Sequence, residues 1–244
     1  DGTISNINLS SDVFCSAYIP VEFTIKNNGS SNLTSAEIEI LVDGVLKEQY
    51  QWTGSLSYNG LQDVSLSNSL DVYSSGNHTV EVKITSVNNQ QDQNSANNSF
   101  SNSFSNYPGS SRLNLNLDLD CWGSEISWQI TDDNSAVIWQ VPENTYPDVQ
   151  PSGTTVNEVV CLENGCYDFT INDTYGDGMY GSQYTECSVN GNFSMVDQWN
   201  TNTFFTMSAP NANFGVAETH SFCVSTNNVS SINSVSYTHL TLPT

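Results

Sequence analysis

Apolar and polar residues alternate along most of the chain, and helical periodicity is nearly absent. Within residues 78–87, Val80, Val82 and Ile84 take one side while Glu81, Lys83 and Thr85 take the other. Ala36, Ile38, Ile40 and Val42 repeat the pattern and run into Asp43-Gly44, a two-residue hairpin signal, before a strand predicted over Val45 to Trp52. Pro20 to Lys26 reads as a strand closed by the turn Asn27-Asn28-Gly29-Ser30. Gln62 to Leu66 and Ser99 to Phe104 add two more. About seven strands at this spacing in residues 1–105 predict an immunoglobulin-like β-sandwich.

Asn106 to Arg112, with Pro108-Gly109-Ser110-Ser111 inside it, punctuates the alternation and reads as a linker. Leu113, Leu115, Leu117 and Leu119 then open a second set on one face. Further strands are predicted at Glu125 to Thr131, Val137 to Gln140, Val156 to Leu162, Cys166 to Asn172, Tyr184 to Val189, Thr203 to Met207 and Thr219 to Val224. The fold class is therefore all-β, two consecutive antiparallel sandwiches over 1–105 and 113–225, with a disordered tail over 226–244. The last ten residues, Val235 to Thr244, read like translated adapter from DNA library preparation. The natural sequence is accordingly expected to run to Ser234, and His239 and Tyr237 to carry no function.

Charge narrows the function. A formal net charge of −22 with four Lys and Arg in total (Lys26, Lys47, Lys83, Arg112) excludes nucleic-acid binding through a basic face. Leu, Ile, Val and Phe together make about 24% of the chain, above the ~20% below which a chain of high net charge stays disordered. No apolar run approaches the ~18 residues of a membrane span. Six cysteines (Cys15, Cys121, Cys161, Cys166, Cys187, Cys223) in an acidic, Asn-rich chain predict disulfides and an extracellular or cell-surface location. No CxxC or CxxH pair favours zinc, and the spacing leaves the disulfide pairing open.

Motifs for catalysis are missing: the sequence has no HExxH, no GxSxG and no glycine-rich loop before a helix. His78 and His220 fall in different predicted domains and are expected at the surface, so no catalytic residue is assigned. The sharpest local signal is Asp173 to Gly181, DTYGDGMYG. Two carboxylates four apart, interleaved with glycines, can fold a tight loop that aims oxygens at one point, and calcium takes 6–8 oxygen ligands. Asp173, Asp177 and Gly178 match positions one, five and six of an EF-hand loop, but position twelve is Tyr184, so the loop is not an EF-hand. Asp118, Asp120 and Asp168 are further candidate ligands for calcium. The competing reading is a polar turn in which Asp caps backbone N–H groups. Among the aromatics, Trp52, Trp128 and Trp139 are expected in cores. Trp122, Tyr175 and Tyr180 flank predicted loops and are the candidate contacts for an extracellular glycan or protein ligand.

Two resemblances bear on these expectations. The segment PVEFTIKNNGSSNLTSAEIEILVDGVLKEQYQWTGSL, followed by SSGNHTVEVKI and DQNSANNSF, resembles the CARDB family of bacterial adhesion-related domains over residues 1–105. WGSEISWQI, CLENGCYDFTINDTYGDGM and HSFCV resemble a CUB-like module of secreted bacterial proteins, a jelly-roll-type sandwich, over 113–224. The sequence departs from that module after the GDG, where Cys187 lies in a predicted strand. Both resemblances are to accessory modules of Bacteroidota proteins exported by type IX secretion, often beside a peptidase. They imply a non-catalytic pair of binding or adhesion modules of a larger secreted protein. The alternatives are an accessory region of a secreted peptidase or other hydrolase whose catalytic domain lies upstream, and a spacer in a surface filament.

Overall fold

The computed structural model describes residues 1–225; the tail expected over 226–244 lies outside them. The chain divides into two compact units, with the division between Arg112 and Leu113. The expected linker is shorter than its punctuation suggested: strands run to Asn106 and resume at Ser111.

The first unit holds β1 (Gly2–Leu9), β2 (Val13–Phe14), β3 (Tyr18–Ile19), β4 (Val21–Asn27), β5 (Leu33–Val42), β6 (Val45–Leu56), β7 (Leu61–Ser65), β8 (Leu70–Asp71), β9 (Gly76–Val87) and β10 (Ser99–Asn106). A three-stranded sheet, β1-β4-β7, and a five-stranded sheet, β2-β10-β9-β5-β6, supply the two faces of the sandwich, and β3 pairs with β8 beside them. The alternation does what it predicted: Ile38, Ile40, Val80, Val82 and Ile84 are buried together with Phe23, Ile25 and Trp52. The Asp43-Gly44 turn carries both residues at positive φ, 51° and 77°, as a two-residue hairpin turn between twisted strands requires. β1 was not foreseen, and its bulge explains why. Pairing with β4 slips between Ile4 and Asn6, so Ile4 and Ile7, three residues apart, both turn inward and break the period of two.

The second unit holds β11 (Ser111–Leu119) from Leu113 onward, β12 (Ile126–Asp132), β13 (Val137–Val141), β14 (Thr154–Leu162), β15 (Gly165–Asp173), β16 (Asn192–Asp197), β17 (Thr203–Thr206) and β18 (Ala217–Val224). Two four-stranded sheets, β14-β11-β16-β17 and β13-β12-β15-β18, enclose a core of Leu113, Leu115, Leu117, Leu119, Trp128, Phe169, Phe193 and Phe205. Phe169 stacks on Phe205 at 4.9 Å, and Trp128 donates its indole N–H to the Tyr146 hydroxyl at 2.9 Å. Trp139 packs on this core half-buried.

Two expectations are corrected here. The strand placed over Tyr184 to Val189 is irregular chain, and the strand of this region is β16 instead. Cys187 is held in a disulfide with Cys121, and Gly191 donates its N–H to Met179 O, so the segment between is pinned as a loop. Neither His78 nor His220 is a surface residue. His78 is buried on β9, with Nδ1 2.7 Å from Asp43 Oδ2 and Nε2 3.0 Å from Ser74 O. His220 is half-buried, stacked on Phe205 at 4.9 Å and 2.7 Å from Glu218. A second bridge, Cys166–Cys223, joins facing residues of β15 and β18, and no described cysteine is free.

Candidate metal centre

Three strand ends and one loop build an acidic cluster at one end of the second unit. Asp173 closes β15 and pairs with Ile126, the first residue of β12, which places Glu125 beside it. Thr174 N donates to Glu125 O at 3.1 Å and fixes that approach. The Asp173 carboxylate, 2% exposed, organises the loop: Oδ2 accepts the N–H groups of Gly176, Asp177 and Gly178 at 2.6, 2.7 and 2.9 Å, and Oδ1 accepts that of Tyr175 at 3.2 Å. Asp173 thus caps backbone donors as the polar-turn reading expected, and the same fold brings carboxylates together. One oxygen each from Glu125, Asp173 and Asp177 lies within 4.8 Å of the others. Gly178, at φ +71°, has no room for a side chain, since a Cβ would come within 2.5 Å of Ala212 O and 2.6 Å of Phe214 N.

Asp120 follows β11 and is buried, its Oδ1 accepting Trp122 N at 3.0 Å. Burial pushes its pKa up to about 6, helped by the charges of Asp177, Asp173 and Asp148. Glu125 is pushed up to about 7, by burial first and then by Asp173, Asp177, Asp120 and Asp148. Asp177 is raised as well, mainly by burial, although a hydrogen bond from Tyr184 works the other way. The charges that raise Asp120, Glu125 and Asp177 are those of neighbouring carboxylates. Such a site holds protons or a cation, because adjacent carboxylates in a desolvated place do not all ionise alone.

The segment after the loop braces it. Gln183 donates to Asp177 Oδ2 at 2.5 Å, and desolvation and the nearby Asp177 push the Tyr184 hydroxyl up to about 12. The Cys121–Cys187 bridge ties this segment to the residue after Asp120. Trp122 meets Tyr184 edge-on at 5.1 Å, and Tyr184 meets the exposed Tyr175 at 6.4 Å.

Of the residues singled out from the sequence, Asp120, Asp173 and Asp177 converge here. Asp118 and Asp168 do not. Asp118 alternates outward between Leu117 and Leu119 and accepts the Thr155 hydroxyl at 2.8 Å. Asp168 lies an odd number of residues from Asp173 on β15, so it faces solvent and accepts the Ser221 hydroxyl at 2.5 Å. Trp122 and Tyr175 join one aromatic group, whereas half-buried Tyr180 leads into the short 3-10 turn Gly181–Gln183. Glu125, Gln183 and Tyr184 were missed. Glu125 stands in WGSEISWQI with only strand pairing to reveal its role, and Tyr184 stands out in the sequence only as the start of a predicted strand and as the position that fails an EF-hand.

The CARDB family pattern matches residues 1–102. No curated protein matches the chain. Among solved structures, a CARDB domain from Pyrococcus furiosus, in complex with di-metal ions, is 19% identical at a TM-score of 0.37, covering 43% of this chain and 92% of its own. A cell surface protein domain from Methanosarcina acetivorans is 23% identical at 0.35, covering 43% and 90%. Latent PorU from Porphyromonas gingivalis is 15% identical at 0.26, covering 70% of this chain and 18% of its own. The match to the CARDB family lies within the first unit, Asp1–Arg112.

Proposed function

We propose that the chain is a non-catalytic pair of extracellular binding or adhesion modules, the second of which holds calcium in the loop 173–181. The second unit is read as CUB-like, a reading supported by its two four-stranded sheets and by the residues quoted above. Export by type IX secretion is part of the same proposal. The observation that carries the calcium reading is the approach of Glu125, Asp173 and Asp177 to within 4.8 Å, with Asp120 buried and raised by the charges of Asp177 and Asp173, and none of the four in an ion pair among the described residues. Carboxylate oxygens suit a hard divalent cation, and three or four of them leave positions of a calcium ion open toward solvent. Glu125, Asp173, Asp177 and Asp120 would hold the ion, while Gln183 and Tyr184 orient Asp177. Trp122 and Tyr175 are the proposed contacts for a glycan or protein ligand beside it.

Calorimetric titration of the full chain with calcium chloride tests this. Wild type is expected to bind with a constant in the millimolar range or tighter. Glu125→Gln/Asp177→Asn should remove that event while the far-ultraviolet spectrum stays that of a β protein. An unchanged isotherm in the double variant would return the loop to the status of a polar turn.

A further inference from the structure

The outward face of the β13-β12-β15-β18 sheet carries polar side chains on adjacent strands. Alternation sends Trp128, Ile130 and Ile171 into the core, so Ser127, Gln129 and Asn172 face away from it. Gln140 sits directly opposite Gln129, and Ser127 directly opposite Asn172, so all four share that face. One part of the face satisfies itself: the hydroxyls of Thr170 and Thr219 bond each other at 2.9 Å, and Asp168 accepts Ser221. The other part does not. Among the described residues no hydrogen bond ties the side chain of Ser127, Gln129, Gln140 or Asn172, although three of the four are half-buried. These same four line a groove of about 380 Å³, which Pro142 and Glu143, following β13, also line.

Each unpartnered amide offers two N–H donors and a carbonyl acceptor, and the serine hydroxyl takes both roles. A ligand that answers them must donate and accept at the same points, as sugar hydroxyls do. Glu143 is the one charged lining residue, and with a net charge of −22 it turns away phosphate, sulfate and uronate. The apolar lining residues Trp128 and Val141 belong to the core or pack on it, so an apolar ligand finds little surface. An extended peptide would be held by main-chain bonds at a strand edge, whereas these groups stand on the face of the sheet. Three adjacent strands spread them over about 10 Å, more than one sugar ring covers. We propose that this groove binds a neutral oligosaccharide, with Ser127, Gln129, Gln140 and Asn172 bonding its hydroxyls. The site is apart from the acidic cluster, because Asn172 and Asp173 are consecutive on β15 and point to opposite faces. It rests on the reading of the second unit as a binding module, and needs neither calcium nor Trp122 and Tyr175.

The test records the side-chain amide and indole resonances of the full chain by nuclear magnetic resonance. Neutral gluco-, xylo- and manno-oligosaccharides are added in turn, with a sulfated oligosaccharide and an extended serine-rich peptide as contrasting probes. At least one neutral oligosaccharide is expected to shift the amides of Gln129, Gln140 and Asn172, in chelator as well as in calcium. Gln129→Ala/Gln140→Ala should weaken that ligand about tenfold or more while the far-ultraviolet spectrum stays the same. Asn172→Ala, on another strand, makes the same test should the double variant not fold. Silence of these amides toward every neutral oligosaccharide, an equal response to the sulfated one or the peptide, or an unchanged affinity in the variants would overturn the proposal. Shifts confined to the Trp122 indole would overturn it too, while leaving the binding reading of that aromatic group standing.

Discussion

Asp177 shows how one side chain divides its work. Its carboxylate takes a donor from Gln183 and still lies among Glu125 and Asp173. Asp177→Asn keeps the shape and drops the charge, so without calcium it should stabilise the second unit slightly, and with calcium it should lose most of the ion-induced shift. Thermal unfolding of the variant in both buffers reads this directly. Gly178→Ala should cost ~2 kcal/mol or more, because it places a side chain at positive φ and against Ala212 O. Denaturant unfolding measures that loss. Asp43→Ala should cost about 1–3 kcal/mol by stripping a buried histidine of a partner and Thr79 N of its acceptor.

At the level of elements, the sequence was most legible where the period of two was unbroken. β4, β5, β9, β11 and β15 were read to within a few residues because the middle of each buries an apolar residue at every second place, as Phe23 and Ile25, Ile38 and Ile40, Val80 and Val82, Leu115 and Leu117, and Phe169 and Ile171 do. β1 was lost to a bulge, and the segment 184–189 was mistaken for a strand because a disulfide and tight backbone contacts, invisible in a single chain, overrode its local pattern. The same limit applied to the candidate site. Asp173 and Asp177 could be found from their spacing, whereas Glu125 reaches them only through the pairing of β12 with β15. The Cys166–Cys223 bridge closes a 57-residue span across β15 and β18. Replacing both cysteines by serine should cost on the order of 4 kcal/mol in the chain-entropy account, read as a lower denaturant midpoint at unchanged slope.

For the whole molecule, the raised carboxylates set a pH dependence with a definite sign. Asp120 and Glu125 have folded pKa values of about 6 and about 7, above their ordinary ones. Between the ordinary and the raised values the folded state binds more protons than the unfolded one, so stability falls as pH rises from about 5 to about 7. Calcium replaces those protons, and the fall should vanish when the ion is present in excess. Unfolding midpoints at a series of pH values, with chelator and with calcium, would show the two slopes.

The most direct test of the central claim is thermal unfolding of the full chain at pH 7.5 in chelator and then in millimolar calcium. An ion at ten times its dissociation constant adds about 1.4 kcal/mol to the state that binds it. A unit of this size should then melt a few degrees higher, and Glu125→Gln/Asp177→Asn should cut that rise in the transition of the second unit. Superimposable curves for wild type in the two buffers would contradict the account.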